Sequence, residues 1–178
     1  MKSIIFLDND GVVCLSNNWG SRSKKIKNYI NKFKDSSNIP SYIKMDDFDI
    51  KSVKLLNSIL EETGADIVVS SDWKLYCTLD ELKEMFTMYG VIKEPIDITP
   101  IIKLEYDKNY YTLEELAKYR IIEIKDWLKN NTEVTKWVAI DDLLLGGDDG
   151  LSNFVLTSKS SQGIKQSGIK EKIISFIK

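Results

Sequence analysis

A chain of 178 residues, 43% hydrophobic and with a formal net charge of -2, is long enough for one domain with a real core and is not a broadly basic, nucleic-acid-coating protein. It contains no histidine, which excludes Ser-His-Asp and Cys-His catalysis, the usual zinc sites and histidine acid-base chemistry, so any reaction must run on carboxylates. Cys14 and Cys77 lie far apart and read as free thiols; the short apolar run after Met1 is no signal peptide and no stretch reaches membrane-span length, so a cytoplasmic location without membrane contact is expected.

The first element is a buried strand, Ile4-Ile5-Phe6-Leu7, which runs directly into Asp8-Asn9-Asp10-Gly11. A basic stretch follows, in which Ile26, Tyr29, Ile30 and Phe33 fall at helical spacing within residues 24–34. Residues 49–63 read as a helix with Val53, Leu55, Leu56, Ile59 and Leu60 inward and Gly64 as its stop, and 66–70 as a second buried strand. Thr78 caps a helix over 79–89, closed by Gly90, and a third strand lies around Ile96-Asp97-Ile98, ended by Pro100. A tyrosine-rich connection over 105–118 leads to a helix expected from Arg120 to Asn130. Strands at Trp137-Val138-Ala139-Ile140 and Phe154-Val155-Leu156-Thr157 and a helix over 169–177 complete the chain. This alternation predicts an α/β fold, a central parallel sheet with helices on both faces, and a ligand site beyond the carboxyl ends of the strands.

Four strand-associated groups would converge on that edge: Asp8 and Asp10 after the first strand, Ser70 and Ser71 after the second, Arg120 at a helix start, and Asp141 and Asp142 after the fourth strand. Each has an ordinary explanation singly. Asp10-Gly11 suits a hairpin turn, the serines suit a cap, and Arg120 suits a solvated helix face. Together, two carboxylates at one strand end and two at another suit a hard cation held against a phosphoryl group.

The constellation resembles the haloacid dehalogenase (HAD) superfamily of phosphotransferases. Leu7-Asp8-Asn9-Asp10-Gly11-Val12-Val13 matches its Asp-x-Asp-Gly-Val motif, Ile67-Val68-Val69-Ser70 the strand ending in Ser or Thr, Arg120 the basic third motif and Asp141-Asp142 the paired acids. A narrower similarity is to the small HAD domains associated with bacterial RNA-repair proteins, echoed in Val68-Val69-Ser70-Ser71-Asp72-Trp73-Lys74, in Arg120 with Trp127-Leu128, and in Ile140-Asp141-Asp142. Lys74 stands where that pattern has Arg, and Leu143-Leu144-Leu145 separates the acid pair from Asp148-Asp149.

The resemblance implies a Rossmann-like HAD fold over residues 1–178, with a small cap or flap insert at 15–48, and a phosphatase using an aspartyl-phosphate. Asp8 would be nucleophile and Asp10 general acid/base; Ser70, Ser71 and Arg120 would hold the phosphoryl oxygens, and Mg2+ would sit among Asp8, the Asp10 carbonyl and Asp141 or Asp142. An open site with a small cap accepts bulky substrates, so the expected partner is a phosphorylated small molecule or a nucleic-acid end. Lys24, Lys25, Lys27, Lys32 and Lys34 could meet such an end or be a solvated face, and Trp19, Trp73, Tyr110 and Tyr111 could stack a base or simply pack. The competing readings are a magnesium nuclease of the PIN type and a catalytically silent phosphate or nucleotide sensor.

Overall fold

In the computed structural model, which describes residues 2–34, 36–102 and 111–178, the first apolar run forms β1, Lys2–Leu7, with its last four residues fully buried. β2 (Asp66–Val69), β3 (Pro95–Ile98), β4 (Val134–Asp141) and β5 (Phe154–Leu156) join it in one five-stranded sheet of order β3-β2-β1-β4-β5. Every pairing is parallel. β1 is central because its residues are apolar on both sides, and a strand buried on both faces needs a layer above and below.

Alternation along the strands assigns the two layers. Ile5, Leu7, Ile67, Val69, Val138 and Ile140 face one core with α3 (Ile50–Thr63), α4 (Leu79–Met88) and α6 (Ile169–Ile177). Ile4, Phe6, Val68 and Ala139 face the other, against Ala117, Ile124 and Trp127 of α5 (Leu113–Asn130). There Phe6 meets Trp127 edge to face, ring centres 5.3 Å apart.

The helix signals act locally as expected. Asp49 caps α3 by accepting the Ser52 N–H, and Gly64 ends it at φ +69°. Thr78 and Glu81 form a reciprocal capping box on α4. One boundary differs: Arg120 does not open a helix. Thr112 and Glu115 form a second capping box, so α5 begins at Leu113 and Arg120 lies two turns inside it. Lys118, placed in the preceding connection by the sequence, is therefore on α5 too, paired with Glu114 on the surface. Part of that tyrosine-rich connection, including Tyr110, lies outside the described residues.

Between β1 and α3 lie α1 (Ser21–Phe33) and the short α2 (Ser41–Lys44). On α1 the apolar stripe is only partly covered: Ile26, Tyr29 and Ile30 are half-buried, and Phe33 is exposed against Tyr29. Lys24, Lys27, Lys32 and Lys34 are exposed, whereas Lys25 turns back to bond Asp47 and the Tyr42 carbonyl. Among the described residues no helix is long and apolar enough to cross a membrane.

Candidate active site

Strand order runs outward from β1 to β2 and β3 on one side and to β4 and β5 on the other, so a crevice opens at the carboxyl end between β1 and β4. The ladder continues one residue past the strands: the Asp8 N–H donates to Ile140 O, Ser70 N–H to Leu7 O, and Thr157 N–H to Asp141 O. Register therefore fixes Asp8, Ser70 and Asp141 at this edge. The next turn winds on the Asn9 carbonyl, which accepts from Val13 and Cys14, and needs φ +70° at Gly11. A Cβ on Gly11 would come within 2.2 Å of Asp142 Oδ2, so a glycine is required both by conformation and by the close approach of that carboxylate.

Asp8, Asp141 and Asp142 each offer an oxygen, and these oxygens lie within 4.8 Å of one another. Arg120 comes in from α5, 5% exposed, and links the set. Its Nη1 donates to Asp141 Oδ2 at 2.9 Å and to Ser70 O and lies 3.2 Å from Asp8 Oδ1; its Nη2 donates to Asp72 at 2.8 Å. Arg120 is thus anchored mid-helix, and its guanidinium is engaged by protein acceptors. Lys125, a turn further along, instead donates to the Asp149 carbonyl on the surface.

One guanidinium does not compensate these acids. Burial, then repulsion from Asp141, raises the Asp8 carboxyl well above its ordinary value, with Arg120 only partly opposing. Burial also pushes Asp141 to about 6 against the pull of Arg120, and raises Asp142. Burial alone would discharge Arg120, but Asp141, Asp8 and Asp72 outweigh it and the group is held firmly cationic. A buried, all-oxygen donor set with excess negative charge fits a hard divalent cation such as magnesium. The Asp10 carboxylate lies outside that set. It is turned to Trp73, whose Nε1 donates to Oδ2 at 2.7 Å.

The Ser70 hydroxyl is buried without a hydrogen-bond partner, and the buried Ser71 hydroxyl faces the Asp8 carboxylate, whose charge it favours. An unpaired buried hydroxyl such as that of Ser70 is costly. Asp142 also borders an open groove of about 990 Å³ walled by Ala117, Ile121, Leu143, Leu144 and Leu156. Of the aromatic residues singled out in the sequence, Trp19 is half exposed, Trp73 is buried, and Tyr111 packs edge-on to Tyr119. Sequence reasoning missed the layer behind Arg120, where buried Lys74 pairs with Glu123 and donates to Thr99 Oγ1 at 2.8 Å. It also missed the clamp from Asp72.

A parallel sheet with an Asp-x-Asp turn after its central strand and a second acid pair beside it defines a hydrolase of the HAD type. Residues 4–168 match the family described as the HAD domain in Swiss Army Knife RNA repair proteins, and the chain belongs to that family. At the level of the superfamily this makes it a HAD-type phosphohydrolase, and neither the nuclease nor the silent-sensor reading gains support. No match was found among curated proteins or solved structures.

Proposed function

We propose that the protein is a magnesium-dependent phosphoric monoester hydrolase working through an aspartyl-phosphate on Asp8, with a nucleic-acid end phosphate as its preferred substrate class. The observation that carries the reading is the juxtaposition of Asp8 with Asp141, Asp142 and Arg120 at the β1–β4 crevice. Asp8, Asp141 and Asp142 would hold the cation, and bound there it offsets the repulsion between a carboxylate nucleophile and a phosphate dianion.

The chain's own residues carry the rest. Arg120, 3.2 Å from Asp8, favours the ionised form that attack requires. An Asp8 oxygen forms a bond to phosphorus as the ester P–O bond breaks, and neutral Asp10 gives its proton to the departing oxygen. Water then attacks the phosphoryl group while Asp10 removes its proton, the Asp8–phosphorus link breaks, and inorganic phosphate is released. The Ser70 and Ser71 hydroxyls, the second beside Asp8, can donate to phosphoryl oxygens. Burial raises the Asp10 pKa, which favours its protonated, donating form. The groove beside Asp142 leaves room for a bulky ester group, and the description of the family points to RNA.

Phosphate release from an RNA oligonucleotide carrying a terminal phosphate, with and without magnesium, tests this directly. Magnesium-dependent release, abolished by Asp8→Asn, is expected. Release that persists in excess chelator would refute the metal requirement, and release by Asp8→Asn at the wild-type rate would refute the covalent route.

A further inference from the structure

Asp10 has a partner that the phosphatase scheme does not use. Trp73 is 4% exposed and sits on the short 3-10 helix Asp72–Leu75, just after the site serines. Its indole stacks on Phe48 with ring centres 5.5 Å apart, and Phe48 in turn stacks on Tyr89 at 4.8 Å and meets Phe86 edge-on at 5.3 Å. The Tyr89 hydroxyl is fixed by donating to Asp47 Oδ1 at 2.6 Å, an oxygen that Lys25 also contacts at 2.7 Å. Phe48, which holds the ring bearing the N–H, is thus backed by Phe86 and Tyr89, and Tyr89 by Asp47 and Lys25; three of these five groups, Lys25, Asp47 and Phe48, come from the segment between β1 and α3. The N–H points at Asp10 Oδ2, at 2.7 Å.

An indole nitrogen donates and cannot accept. The carboxyl oxygen that receives its hydrogen bond is consequently the acceptor oxygen, and in the neutral acid the proton resides on the other one. Among the described residues the Cys14 thiol is the other side chain bonded to this carboxyl, and without the indole contact the carboxyl can carry its proton on either oxygen.

We propose that Trp73 is a positioning residue for Asp10: its N–H, bound to Oδ2, reserves Oδ1 as the atom that delivers the proton to the leaving oxygen and later removes one from water. The inference rests on the phosphatase reading. In the first half-reaction the bonding pair of the breaking P–O bond stays with the ester oxygen, which takes the proton from Oδ1 and departs as an alcohol. Asp10 is left as a carboxylate, its Oδ2 still bound by the indole.

Leaving-group dependence separates this role from packing. Para-nitrophenyl phosphate releases a weakly basic oxygen that needs little protonation, whereas benzyl phosphate, of similar size, releases a strongly basic one. kcat/KM reports the step up to alcohol release. With magnesium present, Trp73→Phe, which keeps an aromatic ring against Phe48, is expected to lower kcat/KM for benzyl phosphate by about 10-fold or more and for the nitrophenyl ester by no more than about threefold, a fraction of a full general-acid contribution. In an Asp10→Asn background the same substitution should cost nothing further, because residues acting as a unit are non-additive.

Equal losses on the two esters, or an undiminished loss in the Asp10→Asn background, would show a packing role and overturn the proposal. If circular dichroism shows that Trp73→Phe unfolds, the benzothiophene analogue of tryptophan at position 73, isosteric but without the N–H, must give the same ester pattern, and an unaltered ester ratio there overturns the proposal equally. A wild-type protein that releases phosphate neither from these esters nor from an RNA oligonucleotide with a terminal phosphate would overturn the phosphatase reading itself, before any change at Trp73 is made.

Discussion

At the carboxyl edge of the sheet, Asp8 and Asp141 are 4% and 1% exposed, and burial holds both carboxyls above their ordinary range. At the start of α3, Asp47 and Asp49 are held below it: each feels some burial, but Lys25, Tyr89 and Ser21 favour the charge on Asp47, and Lys165 and Ser52 that on Asp49. One residue type thus serves opposite ends within one fold. Where an aspartate finds cations and N–H donors its ionisation stabilises the native state; where several crowd one guanidinium it opposes folding, the pattern of carboxylates at binding and catalytic sites.

The contrast breaks most sharply at Asp8. Asp8→Asn should reduce phosphate release to background, and because it removes a charge that the fold resists, the thermal midpoint should not fall. Loss of activity accompanied by a lower midpoint would mean that Asp8 is a structural ion-pair partner. Arg120→Ala comes next, with an expected fall in kcat of roughly 10²-fold or more, the scale of losing one charged transition-state contact. Removing one member of a buried ionic group also costs about 3–5 kcal/mol, so a denaturant titration should show it. Lys125→Ala, which touches only a surface carbonyl, should change neither measurement. The opposite ranking would take Arg120 out of the site.

A pH comparison sharpens the same point. Asp141 titrates at about 6 in the fold against an ordinary 3.8, so between those values the native state binds a proton that the unfolded chain does not. Stability without metal should therefore rise as pH falls from 7 through 6, and magnesium should lift the thermal midpoint at pH 7.5 far more than at pH 5, where protons compete for the same oxygens. A magnesium effect of equal size at both values would place the cation elsewhere. Asp47 and Asp49 carry the opposite sign: their contribution is complete above 3.8 and is lost as pH falls below it through their lowered values.

Much of this was legible in the chain because, in a parallel sheet, an apolar run ends where the sheet edge begins. Asp8, Ser70 and Asp141 each directly follow such a run, and adjacency of β1 with β2 and β4 brings them together. The depth of Arg120 was legible too, in Thr112-x-x-Glu115, but the surrounding tyrosines read as a loop and hid the capping box. Asp141 and Asp142 were indistinguishable as a dipeptide. Only packing separates them, since Asp141 accepts from Arg120 and the Leu143 N–H whereas Asp142 closes over Gly11. The Trp73–Asp10 and Lys74–Glu123 contacts join residues far apart in the chain, and no local pattern announces such pairs.

The smallest expected effect tests the stabilising half of the comparison. Asp49 Oδ1 accepts the Ser52 N–H at 2.8 Å, the Ser52 hydroxyl at 3.0 Å and Lys165 Nζ at 2.8 Å, while the Asp49 N–H donates to Val13 O. The residue thereby ties the start of α3 to the turn after β1 and to the 3-10 helix Gly163–Lys165. Asp49→Ala deletes the cap and the ion pair and should cost about 1–2 kcal/mol, mostly from the cap, since a partly exposed pair adds little. Asp49→Asn keeps an acceptor for the Ser52 N–H and should recover most of that loss at pH 7, yet it should lack the drop in stability below pH 3.8 that ionised Asp49 confers. Phosphate release at saturating magnesium should stay within about twofold for both variants, because neither alters a group at the β1–β4 crevice. A tenfold loss of activity with an unchanged thermal midpoint would show that the two sets of aspartates are not separable, and that the Asp49 side chain governs the geometry of Asp8 and Asp10 through its contacts with Ser52 and Lys165.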